Sequence, residues 1–226
     1  MALSLARLLN SPLAHGFALT FARPVYRTIF LVLLALGTNA GIFLSYTSLW
    51  ARTVLDATPG LASVLFLAYG LAGSVGNTLL GIWSDRLRRR VPLIVGSTAT
   101  ASLAVASMAF IPSFPLAVVA CALAGVNAFS PTLALASDHV RHDASLPSAT
   151  APVVIATERM AWSLGILIGP AIAAALLALT ASFPSLYLTG ALCIASGTLL
   201  ALHLEDAPGT TGAPVHHGPA RRALPA

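Results

Sequence analysis

Six long apolar runs joined by short connections leave this chain few folds to choose from. A spanning helix needs about 20 mostly apolar residues. Residues 28–50, 60–83, 91–111, 114–136, 151–179 and 184–204 meet that test. The runs are too long for strands and lack an alternating pattern. Pro112, Phe114-Pro115 and Phe183-Pro184 mark two of the connections as tight turns. The expected fold is an all-α membrane protein, a six-helix transmembrane bundle over 28–204. Residues 1–27 read as an N-terminal extension at the membrane surface, and 205–226 as a disordered tail rich in Pro, Gly, Thr and His.

Composition supports the same class. The chain is 57% hydrophobic and only 8% charged, with a mean hydropathy of +0.87. A soluble domain carries about 25% charged residues. The positive charge is all Arg, and the Arg residues gather at the ends of apolar runs, so a nucleic-acid partner is not expected. Cys121 and Cys193 lie inside apolar runs and read as small hydrophobes. The N-terminus, broken by Pro12 and Pro24 and carrying Arg7 and Arg23, lacks the pattern of a cleaved signal peptide.

Orientation follows from the Arg count. Arg7, Arg23, Arg27, Arg86, Arg88, Arg89, Arg90, Arg141, Arg221 and Arg222 fall on one side of the runs, and Arg52 alone on the other. The positive-inside rule then puts both termini in the cytoplasm, with the chain multi-pass in the cytoplasmic (inner) membrane.

Charged groups at membrane depth are costly and point to function. Glu158 and Arg159 lie about a third of the way along the fifth run, about 100 degrees apart on a helix, so they need not pair. Glu158 is the candidate proton carrier. Asn39, Tyr46, Asn127 and Arg159 are candidate ligands for a polar solute. Asn39, Asn77 and Asn127 also suit hydrogen bonds that join helices, and Arg159 suits snorkelling to the head groups. No His, Cys or acidic spacing fits a metal, and no nucleophile–base pair or phosphate loop appears, so neither cofactor nor enzyme activity is expected. Gly37 with Gly41, and Gly165 with Gly169, form Gly-xxx-Gly steps for close helix packing. Gly169-Pro170 is also a candidate helix bend.

Gly81-Ile82-Trp83-Ser84-Asp85-Arg86-Leu87-Arg88-Arg89-Arg90 resembles the loop signature of the major facilitator superfamily, Gly-x-x-x-Asp-Arg-x-Gly-Arg-Arg/Lys, with Arg88 at the second Gly. Gly165-x-x-x-Gly169-Pro170 resembles the fifth-helix signature of its exporters, with Ala173-Ala174 in place of the trailing glycines. Residues from Ala128-Phe129-Ser130-Pro131 to Asp138-His139, with Arg159-x-x-x-Ser163-Leu164 and Leu186-Tyr187-Leu188, are similar to the sugar efflux transporter branch. The likeness covers roughly residues 28–204, all six runs.

The resemblance implies one six-helix half of a twelve-helix transporter, with a substrate cavity between halves. Gly81, Asp85, Arg86, Arg89 and Arg90 would form a gating loop, Asp138 would supply its charge partner, and Arg159 would face the cavity. The expected function is proton-coupled efflux of a sugar or similar small polar solute, in a lipid bilayer. A second copy or a separate chain would supply the other six helices. The alternative is a truncated or partner-dependent half-transporter without transport of its own, acting only by helix packing.

Overall fold

The computed structural model describes residues 12–87, 89–147 and 150–207. Arg7, Arg88, Arg221, Arg222 and most of the expected tail lie outside them. Among the described residues eight helices follow in order: α1 Pro12–Ala22, α2 Pro24–Val54, α3 Pro59–Leu87, α4 Val91–Ser107, α5 Phe114–Gly125, α6 Phe129–His142, α7 Ala151–Thr180 and α8 Phe183–Ala201. No strand occurs among the described residues.

Proline sets most of the helix starts. It occupies the first or second position of α2, α4, α5, α7 and α8, where its missing N–H costs nothing. Arg23, Ser113 and Ser182, just ahead of such starts, are extended. For Arg23 that backbone is what the ring of the following Pro24 favours, and for Ser113 and Ser182 it is the usual extended conformation of a residue just before a helix.

Helices α2, α3, α7 and α8, and the α5–α6 stretch Phe114–His142, are long and apolar enough to cross a membrane. Helix α4 has 17 residues, or about 26 Å of rise. Its expected run to residue 111 ends early as helix. Met108, Ala109 and Phe110 instead bond back three residues, to Val105, Ala106 and Ser107, which tightens the last turn. The chain is a multi-pass, all-α membrane protein.

The fourth apolar run is not one helix. It breaks at Val126–Ala128, between α5 and α6. Pro131 lies four residues after Asn127, so its ring would strike the Asn127 carbonyl of an unbroken helix. The amides freed at the break find side chains. Phe129 N donates to Asn127 Oδ1 at 3.1 Å and Ser130 N to Asn77 Oδ1 at 3.3 Å.

Helix α2 is the centre of the bundle, packing against α7 and α8 most extensively and also touching α3, α6 and α1. The α2–α7 crossing rests on two interlocked Gly pairs. A Cβ on Gly37 would strike the Trp162 carbonyl, and one on Gly41 the Ile166 carbonyl. In return, a Cβ on Gly165 would strike Leu34 and Thr38 backbone, and one on Gly169 would strike Thr38 and Ile42. Every collision is with main chain, which cannot rotate away. Pro170 leaves the Ile166 carbonyl without its intrahelical donor, and Gly41 packs against that same carbonyl. Helix α7 nonetheless continues from Ala151 through Pro170 to Thr180.

The described part of the extension is helical too. Helix α1 packs against α7 and α2 rather than standing apart, and a Cβ on its Gly16 would strike Thr157 Oγ1 and Val153. At the other terminus, residues 205–207 are held against the bundle, with Ala207 buried.

Candidate functional site

Two polar assemblies sit at the end of the bundle that carries most of the Arg residues. The first gathers around Arg90. Its Nε donates to Asp138 Oδ2 at 2.6 Å, its Nη1 to Ser84 Oγ at 3.0 Å, and its Nη2 lies 3.1 Å from Asp85 Oδ1. Ser84 Oγ donates onward to the Gly81 carbonyl at 2.8 Å. One guanidinium at the start of α4 thus binds the end of α3 and the end of α6.

Asp206 completes this assembly from beyond α8. Its Oδ1 accepts from Arg90 N at 2.7 Å and Val91 N at 3.1 Å, capping α4 where free amides and the helix dipole favour an anion. His139 Nε2 meets the Glu205 carbonyl at 3.0 Å, a second tie between α6 and this segment. The Arg90–Asp138 pair is shielded, the side chains being 16% and 12% exposed, whereas Asp85 is 69% exposed.

The loop residues singled out by the sequence therefore divide. Arg90, Asp138, Asp85 and Gly81 come together. Arg86 and Arg89 are exposed and form no ion pair among the described residues. Asp138 finds its charge partner in Arg90, the last residue of the motif.

The second assembly surrounds Glu158, which is fully buried in α7. Neither carboxylate oxygen has a hydrogen-bond partner. Thr20 of α1, also fully buried, faces it, and Tyr26 of α2 lies within its electrostatic reach. Next to them opens a cavity of about 450 Å³ lined by Arg23, Tyr26, His139, His142, Asp143 and Ser145. Arg23 forms an ion pair with Asp143 and donates to Ser145 Oγ at 2.7 Å. Tyr26 Oη donates to Asp143 Oδ2 at 3.3 Å.

The candidate solute ligands do not share one pocket. Arg159 is exposed and lines a groove of about 510 Å³ with Arg141, Val140, Pro152 and Ile155. It points away from its neighbour Glu158. Asn39 is buried with an unpaired Oδ1 that sits against Gly190 of α8. Tyr46 packs on the apolar cluster of Ile42, Ala173 and Leu186. Asn127 caps the broken fourth run. Gly165 and Gly169 serve the α2–α7 crossing, with Pro170 beside them. Among the described residues no cluster of three or more His, Cys, Asp or Glu forms a metal site.

Sequence reasoning missed Thr20, Arg23, Asp143 and Asp206. Each acts on a residue far away in the chain, and none stands in a recognisable spacing with its partner.

No curated protein matches the chain. The family model described as Major Facilitator Superfamily matches residues 28–225, which takes in α3 to α8 and all of α2 but its first four residues. Six all-helical passages make one half of that fold, and the chain belongs to the major facilitator superfamily of membrane transporters.

Proposed function

We propose that the chain is one six-helix half of an exporter for a sugar or similar small polar solute, driven by a proton gradient across the cytoplasmic membrane. Both termini and the Gly81–Arg90 loop lie in the cytoplasm, since ten of the eleven Arg residues outside the runs fall on one side.

The observation that carries the reading is Glu158. A carboxyl group fully inside the bundle with no hydrogen-bond partner has no structural task to explain its cost. A carrier that takes a proton in one state and releases it in another needs such a group. Arg159, in the neighbouring groove, contacts the solute as it leaves the cytoplasm. Arg90 with Asp138 and Asp85 forms the gate, because a salt bridge between helix ends can hold one state and break in the other.

Alternating access requires two bundles around one site. Leu67, Leu71 and Val75 of α3 are each more than half exposed, and its Gly70 and Gly81 have open space before them. These features support a second bundle, from another copy or a separate chain, packing on α3. The test joins crosslinking in native membranes to efflux of a labelled sugar analogue from cells. A crosslinked pair with efflux supports the reading, and a strictly monomeric chain without efflux overturns it.

A further inference from the structure

Helix α1 lies across the part of α7 that holds Glu158, and the contact is specific. Gly16 is the residue that lets α1 approach, since any Cβ there would strike Thr157 and Val153. One turn later Thr20 faces the Glu158 carboxyl, and both groups are fully buried without completing a hydrogen bond. A hydroxyl and a carboxyl shut together in an apolar interior lose their water at a cost that one contact between them does not offset. They are explained if the place is only sometimes closed.

The means of closing it is next to it. Arg23, the single extended residue between α1 and α2, forms an ion pair with Asp143 in the α6–α7 connection. It also donates to Ser145 Oγ at 2.7 Å, whose own hydroxyl donates to Asp143 Oδ1 at 2.6 Å. Tyr26 adds its hydroxyl to Asp143 and its ring beneath the Arg23 guanidinium, 6.0 Å from the centroid. These residues line the open cavity of about 450 Å³, and Tyr26 is also the residue within electrostatic reach of Glu158.

We propose that α1 is a lid over a buried polar site formed by Glu158 and Thr20, held shut by the Arg23–Asp143 latch. The ligand class is a small cation, a proton or hydronium, admitted when the latch opens. The groups facing the site are Thr20 from α1 and Tyr26 from α2, with His139, His142, Asp143 and Arg23 around the entrance. The proton assignment rests on the transport reading above, but the lid itself does not.

Access can be measured directly in membrane vesicles of either orientation. A water-soluble carbodiimide with an amine nucleophile modifies reachable carboxyl groups, and the Glu158 peptide is quantified by mass spectrometry, with Glu158→Gln as the blank. The full chain should label slowly at Glu158. Arg23→Ala should label about ten-fold faster, the effect of losing one charge-assisted contact. The charge-swapped pair Arg23→Asp with Asp143→Arg should return toward the slow rate. Equal rates in the full chain and Arg23→Ala would overturn the lid.

If Arg23→Ala does not fold, Thr20→Cys in a chain with Cys121→Ala and Cys193→Ala reads the same closure with the latch intact. Slow reaction with a membrane-impermeant thiol reagent supports the lid, and fast reaction overturns it. The two readings fail separately. Latch-dependent labelling without efflux keeps the lid and removes transport, whereas efflux with latch-independent labelling does the reverse.

Discussion

Arg90 donates from Nε to Asp138 Oδ2 across 2.6 Å, which ties the start of α4 to the end of α6. The same guanidinium reaches Asp85 at 3.1 Å, but that carboxylate stands in water. A shielded charge that loses its partner is strongly destabilising, whereas an exposed pair contributes little. Asp138→Asn should therefore cost about 2 kcal/mol, near the middle of the range for losing a charged hydrogen bond. Asp85→Asn should cost less than about 1 kcal/mol. Thermal unfolding of the purified protein in detergent compares them, and equal losses would remove the distinction.

The glycines of the α2–α7 crossing predict a sharp contrast. Gly165→Ala and Gly169→Ala push a methyl group into the main chain of α2. Overpacking of this kind costs about 1–3 kcal/mol. Gly70→Ala in α3 meets nothing within 4 Å and should be neutral or gain up to about 1 kcal/mol from helix propensity. Chemical unfolding in mixed micelles gives the order, and a Gly70 loss matching that of Gly169 would contradict the crossing.

Asp206 caps α4 from beyond α8. Asp206→Ala should cost about 1 kcal/mol and, more tellingly, speed amide hydrogen exchange at Arg90 and Val91. Exchange that changes elsewhere but not at these two amides would show that the cap is not what protects them.

Asn77 and Asn127 should behave as structural residues. Each supplies an acceptor to the free amides at the start of α6. Replacing either by Ala should cost about 1 kcal/mol. For Asn127→Ala the loss should be one of stability, with the apparent affinity for solute unchanged. A selective loss of affinity in a fully stable Asn127→Ala protein would return that residue to the solute site.

The helices were largely legible because length and apolar composition alone decide what spans a bilayer, and the prolines at 24, 92, 115, 152 and 184 mark where helices start. The break at residues 126–128 was harder to see. The run around it is apolar enough to span a bilayer despite Asn127, Ser130 and Pro131, and the decisive pairing of Pro131 with the Asn127 carbonyl is hidden until a helix is drawn. The Gly-xxx-Gly steps announced close packing, yet which helix meets which is a tertiary fact. Arg23–Asp143 and Arg90–Asp206 were illegible for the same reason, since an ion pair or a cap over more than a hundred residues leaves no spacing to read. Glu158 is legible in the sequence because an acid at membrane depth is costly wherever its partners lie.

The most direct test of the account is proton-driven flux in proteoliposomes of the purified protein, with labelled sugar inside and a pH gradient imposed across the membrane. The account predicts that the gradient accelerates sugar release from vesicles with the native chain. Glu158→Gln should abolish that acceleration while still exchanging labelled for unlabelled sugar. Gradient-driven release that is unchanged in Glu158→Gln, or no sugar flux from the native chain under any gradient, would contradict it.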